Sequence, residues 1–331
     1  MNKAVAVLAA SLAGAFAVSA ASAQASNPDV YPEPKAGELV HVPPTLDDLE
    51  KSQLHPELKR VIRRGRDLFM NTQQLRGKNV FNSMNCSSCH MGEGAMPFSG
   101  PVWPAAVVLP AYRPKNDHVN NIEERIAGCF SYSMNGLPPA YGSDDMVALA
   151  TYHQWLARGV PIYSPGNAMY GRGYPRLPDP GEEVDYARGR EVYAQHCIIC
   201  HGEDGGGLTQ DGKEVFPALW GDHSYNWGAG IARNFTLASF VKYNMPLGQP
   251  GLLSDQEAWD VAYYINAHER PQDPRYTGDV RETRARYLDT FHKHTNYGLE
   301  IEGRLLGDHD NTGEKDFLKP EMLRPRTFTA E

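Results

Sequence analysis

Cys86-Ser87-Ser88-Cys89-His90 and Cys197-Ile198-Ile199-Cys200-His201 are two copies of one Cys-x-x-Cys-His motif, and their reading decides the fold. Cys-x-x-Cys-His is the attachment signature of c-type haem. Two thiols three residues apart on one helical turn reach two vinyl groups along one edge of the macrocycle. The histidine that follows then lies beneath the ring as the proximal iron ligand. With 5 Cys and 12 His in 331 residues, chance would produce about 0.003 copies, so two copies are a design. A zinc site built from both Cys pairs, or two redox disulfides, would use the thiols but leave the histidine after each pair unexplained.

The surroundings of the motifs repeat as well. Arg64-Gly65-Arg66-Asp67-Leu68-Phe69 precedes the first, and Arg188-Gly189-Arg190-Glu191-Val192-Tyr193 precedes the second. Each reads as a helix with a glycine on its apolar stripe (Val61, Gly65, Leu68 and Phe69 in the first), where another helix can approach closely. Downstream, Ser143-Asp144-Asp145 and Ser254-Asp255-Gln256-Glu257 are N-cap signals opening amphipathic helices. Leu149, Tyr152 and Leu156 mark the apolar face of one, and Ala258, Val261, Ala262 and Ile265 that of the other. The shared order is helix, haem motif, long loop, closing helix. It resembles the small all-α cytochrome c fold, duplicated.

Residues 161–184 are dense in Pro and Gly without an apolar period and read as a linker. Residues 24–50 read as an extended lead-in. Beyond Pro271 the chain is polar and charged, with a short helix expected around Tyr287–His292 and no evident chemistry. The expected division is a leader at 1–23, a first domain at 24–165, a second at 166–272 and an extension at 273–331.

Acidic side chains outnumber basic ones by 40 to 32, a formal charge of −8, which argues against a nucleic-acid partner. The mean hydropathy of −0.50 suits a water-soluble protein. The one apolar stretch, Ala4 to Val18, follows Lys3 and precedes Ala21-Ser22-Ala23. This is the layout of an export signal cleaved near Ala23, and it predicts a periplasmic protein with no membrane span in the mature chain. At about 15 residues the stretch is short of the roughly 20 that a spanning helix needs.

The occupant of each iron's sixth position separates electron carriers from catalysts. In the second unit Met245, in Asn244-Met245-Pro246-Leu247-Gly248, lies 44 residues after His201 and is the foremost ligand candidate. Lys242, His223 and His268 are weaker ones. In the first unit the leftover cysteine, Cys129, follows His90 by 39 residues and so falls where a sixth ligand belongs. A thiolate there stabilises ferric iron. The alternatives are an inert buried cysteine with Met134 as ligand, or an intermolecular disulfide.

The run R-I-x-x-C-x-x-x-S-M-N-G at Arg125–Gly136, with two haem motifs and a Met-Pro-x-G loop, resembles the dihaem thiosulfate dehydrogenases (TsdA). The related SoxA cytochromes share the His/Cys haem. The resemblance runs from about Leu68 to Pro271 and includes Phe216-Pro217-Ala218-Leu219-Trp220-Gly221 and Asn226–Arg233. It implies two covalently bound haem c groups and oxidation of two thiosulfates to tetrathionate, reversible in principle. It also implies electron flow from haem 1 to haem 2 to an external acceptor such as a cytochrome c. Some members carry a lysine beside the second haem's methionine and exchange ligands. Asn244 stands there in this chain, so constant His/Met ligation is expected. The resemblance places a transient thiosulfate adduct on Cys129, and Arg125 matches the motif arginine.

Two dianions approach each other only among cations, so Arg113, with Lys115 alongside, is a further candidate. Ser133, one turn past Cys129, is a candidate donor to a sulfonate, and Gln154 a weaker polar one. The competing expectations are a non-catalytic dihaem carrier and a SoxA-like subunit that needs partners.

Overall fold

The computed structural model describes residues 30–113, 118–163, 168–211, 213–289 and 295–308. Among these residues it is built mainly from helices, with three two-stranded antiparallel pairs. In the first half, α1 (Leu46–Lys51) and α2 (Pro56–Met70) precede the first haem motif; α3 (Trp103–Val108), α4 (Ile122–Gly128) and α5 (Asp144–Leu156) follow it. In the second, α6 (Tyr186–His196) leads through Cys197 into α7 (Ile198–His201), which carries the rest of the second motif; α8 (Asn234–Asn244) and α9 (Asp255–Asn266) close the unit. The two halves share the helix–motif–loop–helix order read from the sequence.

The paired glycines explain how each unit closes. α2 crosses α5 so tightly that a Cβ on Gly65 would stand 2.0 Å from the Ala148 carbonyl oxygen. α6 meets α9 in the same way, with 2.1 Å from Gly189 to the Asp260 oxygen. Ile62, Leu68 and Phe69 of α2 bury against Leu149, Tyr152 and Leu156 of α5. Both closing helices start at the expected serines: Ser143 accepts from the Met146 amide, and Ser254 forms a capping box with Glu257. Gly65→Ala is expected to cost at least about 3 kcal/mol by overpacking, well beyond the roughly 1 kcal/mol gained in helix propensity. A thermal melt showing an unchanged or raised Tm would contradict this.

Three expectations are corrected. The lead-in is not extended throughout, because Thr45 and Asp48 form a capping box that starts α1. Residues 161–184 do more than link. Within them, Met169 pairs with Leu39, and the Gly171 and Gly173 carbonyls accept from the Phe98 and Gly100 amides at 2.8 and 3.1 Å. Tyr174 Oη donates to the Cys89 carbonyl at 3.0 Å, and Leu177 is buried in the second core. These attachments use backbone groups and isolated side chains, which leave no periodic trace. Finally, the helix of the tail is α10 (Val280–Tyr287), started by Asp279 rather than at Tyr287; residues 290–294 lie outside the described residues. The leader at 1–23 also lies outside them.

The two units share buried ground. The first core runs into Tyr225, Trp227, Ala229 and Ala232 of the second half, then into Val280, Leu288, Tyr297 and Leu306 of the tail. Trp227 stacks on Tyr297 with centroids 5.4 Å apart. The described part of the tail is therefore part of the fold, anchored by a few apolar side chains in a charged sequence.

Candidate functional site

The first motif sits in a short helical turn after α2. Thr72 Oγ1 accepts from the Cys86 amide at 3.0 Å and lies 3.4 Å from its sulfur. His90 Nδ1 donates to the Gly100 carbonyl, which orients the ring and turns Nε2 to the opposite side. Gly100 is itself required here. Its φ is +64°, and a Cβ would stand 3.1 Å from both His90 Nδ1 and Tyr174 Oη.

Cys129 begins a π-helical turn, Cys129–Ser133, directly after α4. Its sulfur faces His90 and takes a hydrogen bond from Arg125 Nη1 at 3.0 Å. Burial alone would raise this thiol. The charge of Arg125 and hydrogen bonds from His90 and Arg125 outweigh it and bring the pKa down to about 6. Arg125 is raised in turn, chiefly by the sulfur's charge. Arg113 stands close enough to feel Cys129, Arg125 and Arg172; burial lowers its pKa and the charge of Arg125 lowers it further. Met134 is buried in the first core, its backbone held by Cys129 and Phe81. The Ser133 carbonyl accepts from Asn82 Nδ2 at 2.7 Å. Gln154 is on the exposed face of α5. Lys115 lies outside the described residues.

Sequence reasoning missed several neighbours. Arg172 comes from the segment taken as a linker. Tyr174, from the same segment, is pushed well above its usual pKa by burial, with Cys89 and Cys129 adding to the rise. His153 of α5 is buried 6.2 Å from the Phe69 ring, and burial drops its pKa to about 4, so it is neutral. Glu214, from the hairpin Leu208–Gln210/Lys213–Phe216, accepts from Ser88 Oγ inside the first motif at 3.3 Å, and burial lifts its carboxyl to about 7. No single-sequence signal marks these residues, since tertiary contact alone places them.

In the second unit, His201 Nδ1 donates to the Pro217 carbonyl at 2.9 Å, the counterpart of His90 on Gly100. Met245 caps the C-terminus of α8 and packs half-buried on the second core with Cys197 and Ile198. Lys242 is committed elsewhere, with Nζ 2.6 Å from the Leu253 carbonyl and 3.1 Å from Asp255. His268 stacks on Trp220 at 4.0 Å, and His223 offers its carbonyl to Ser83. Asn244 is buried, bonded to Ser99 and to the Phe98 and Phe240 carbonyls. Its amide is fully occupied by structure.

The sulfur environments suit two thioether-bound haems. Burial pushes the Cys86, Cys89 and Cys197 thiols up to about 12, so these sites favour neutral sulfur, whereas the Cys129 site favours an anion. Among the described residues no group of three or more His, Cys, Asp or Glu is placed to hold a metal ion, whereas a zinc site needs three or four such ligands.

Residues 64–162 match the SoxA/TsdA cytochrome c domain family, and residues 184–265 match the family of cytochrome c oxidase, cbb3-type, subunit III. The chain is 43% identical to the thiosulfate dehydrogenase of Thiomonas intermedia over 303 residues, 89% of this chain and 93% of that protein. It is 46% identical to that of Stutzerimonas stutzeri over 278 residues, 82% of this chain and 86% of that one. The chain belongs to the thiosulfate dehydrogenase family. A solved relative, thiosulfate dehydrogenase (TsdBA) from Marichromatium purpuratum in its as-isolated form, agrees with a TM-score of 0.74 at 44% identity. The match covers 81% of this chain and spans 57% of that chain's length. As in the family, both units are cytochrome c domains, and the chain carries two covalently bound haem c groups. No helix among the described residues is long and apolar enough to cross a membrane.

Proposed function

We propose that this chain is an exported, periplasmic thiosulfate dehydrogenase that joins two thiosulfate ions into tetrathionate and releases two electrons. The observation that carries the reading is the Cys129 sulfur facing His90 with Arg125 bound to it. In this reading Cys86 and Cys89 attach the first haem and Cys197 and Cys200 the second. His90 and Cys129 would hold the iron of the first haem, and His201 and Met245 that of the second. The leader at 1–23, the catalytic domain at 24–165, the electron-transfer domain at 166–272 and the extension at 273–331 complete the division. When bound, the two haems accept one electron each, matching the two electrons that one turnover releases.

The protein's own groups handle the sulfur and the charge. The anionic Cys129 sulfur forms an S–S bond to the sulfane sulfur of one thiosulfate as two electrons leave. A second thiosulfate then attacks that sulfane sulfur, which releases tetrathionate and restores the thiolate. No proton is consumed or released. Arg125 and Arg113 hold the sulfonates, and the Ser133 hydroxyl donates to one of them. Their positive charge offsets the repulsion between dianions, worth about 1 kcal/mol per pair of unit charges at 4 Å in water and several-fold more in a buried site.

Ile199, between the second pair of cysteines, is 88% exposed, so an external redox protein can approach the second motif there. The net charge of −8 favours a basic acceptor. The purified protein alone is expected to reduce ferricyanide on addition of thiosulfate, with tetrathionate as product. No turnover would point to a carrier, and turnover only with added subunits to a SoxA-like role; either result would overturn the proposal.

A further inference from the structure

The turn that carries Cys129 is shaped from the other half of the chain. Cys129–Ser133 is π-helical, a form wider than an α-turn and uncommon outside functional sites. As α4 ends, the carbonyls of Ser131, Tyr132 and Ser133 have no helical amide to accept from. Asn226 Nδ2 donates to the Ser131 carbonyl at 2.9 Å, and the Asn226 amide to the Tyr132 carbonyl at 3.2 Å. Asn82 Nδ2 bridges the Ser133 carbonyl at 2.7 Å and the Ser224 carbonyl at 3.0 Å. Asn226 and Asn82 are fully buried. Two of these three carbonyls are thus met by Asn226, beyond the second haem motif, and the third by Asn82.

The tail holds the same turn from its side chain. The Arg275 guanidinium lies 5.1 Å from the centre of the Tyr132 ring and 4.9 Å from that of Tyr287. It is pinned by the buried Asp273 through two bonds of 3.0 and 2.7 Å. Next to Asn226, Trp227 Nε1 donates to Gln272, and its ring stacks on Tyr297.

We propose that Asn226, backed by the Arg275–Asp273 clamp of the C-terminal extension, is a positioning residue that keeps the Cys129 turn π-helical and so aims its sulfur at His90. A turn relaxing to α-helical pitch takes up fewer residues per turn, which rotates the side chains about the axis and swings the sulfur off its line. The second domain and the tail thereby act on chemistry carried out in the first. This gives residues 273–308 a role that their composition does not suggest.

The inference rests on Cys129 being the ligand opposite His90, which the parent protein's own EPR signal tests separately. The test uses the holoprotein with Asn226→Asp, which keeps size and the acceptor for Gly228 but removes the donor to Ser131. Arg275→Lys is the second variant; it keeps the charge beside Asp273 but loses the planar guanidinium over Tyr132. Both are expected to retain two haems and the parental optical signature of the second. The low-spin His/thiolate EPR signal of the first should be lost or split in Asn226→Asp and broadened in Arg275→Lys. The kcat for thiosulfate should fall by up to about 10²-fold with KM nearly unchanged. A parental thiolate signal and parental kcat in both variants would overturn the proposal. So would equal damage to both haem signals, which would mark a general loss of structure.

Discussion

Cys129→Ala is expected to lower thiosulfate turnover by at least about 10⁴-fold, the scale on which enzymes lose activity when the atom that bonds substrate is removed. The substitution takes away the one sulfur that faces His90 and is stabilised as an anion, while the other cysteines of the chain sit in the two attachment motifs. Folding is expected to survive, since Cys129 lies at a helix end beside the site and outside both buried cores. Haem content of two per chain would verify that. Cys129→Met should restore a sixth ligand but not activity, because a thioether cannot serve as the anionic sulfur. It should also shift the first haem to a higher potential. A Cys129→Ala protein with parental turnover would remove the sulfur chemistry from this site.

Arg125→Ala should reduce kcat/KM for thiosulfate by about 10²- to 10³-fold, the usual consequence of deleting one preorganised charge from a buried site. Arg125 does two things at once in the proposed mechanism: it bonds Cys129, at 3.0 Å, and it holds a sulfonate. Arg113 alone cannot replace it, because the hydrogen bond to the Cys129 sulfur comes from Arg125. Arg125→Lys should recover part of the rate only, since an ammonium cannot offer the guanidinium fork to sulfur and sulfonate together. Steady-state kinetics over a range of thiosulfate concentrations would check both. A change in KM of twofold or less with unaltered kcat would show that the arginine is a bystander.

The readable parts of the sequence are those that obey local rules. The Cys-x-x-Cys-His motifs are contiguous, the glycine stripes of α2 and α6 follow helical periodicity, and Ser143 and Ser254 announce their helices through capping. Arg125 is legible because it lies one helical turn before Cys129, so α4 alone brings the two together. What escaped reading is what the chain assembles across distance. Tyr174 and Arg172 arrive from a Pro- and Gly-rich strap whose attachments are backbone hydrogen bonds. Glu214 reaches the first motif from a hairpin of the second unit. The tail reads only as polar and charged because its burial depends on isolated side chains such as Tyr297 and Leu306, too few for a period. Asn226 was visible only as part of a run shared with a family; its work on the Cys129 turn is a property of the folded chain.

The most direct test of the account is low-temperature EPR of the oxidised protein beside its Cys129→Ala variant, with both haems present in each. The account predicts a low-spin signal of histidine/thiolate ligation in the parent that vanishes in the variant, while the signal of the second centre is untouched. A parent spectrum with no thiolate-ligated centre, or one that Cys129→Ala leaves unchanged, would contradict it.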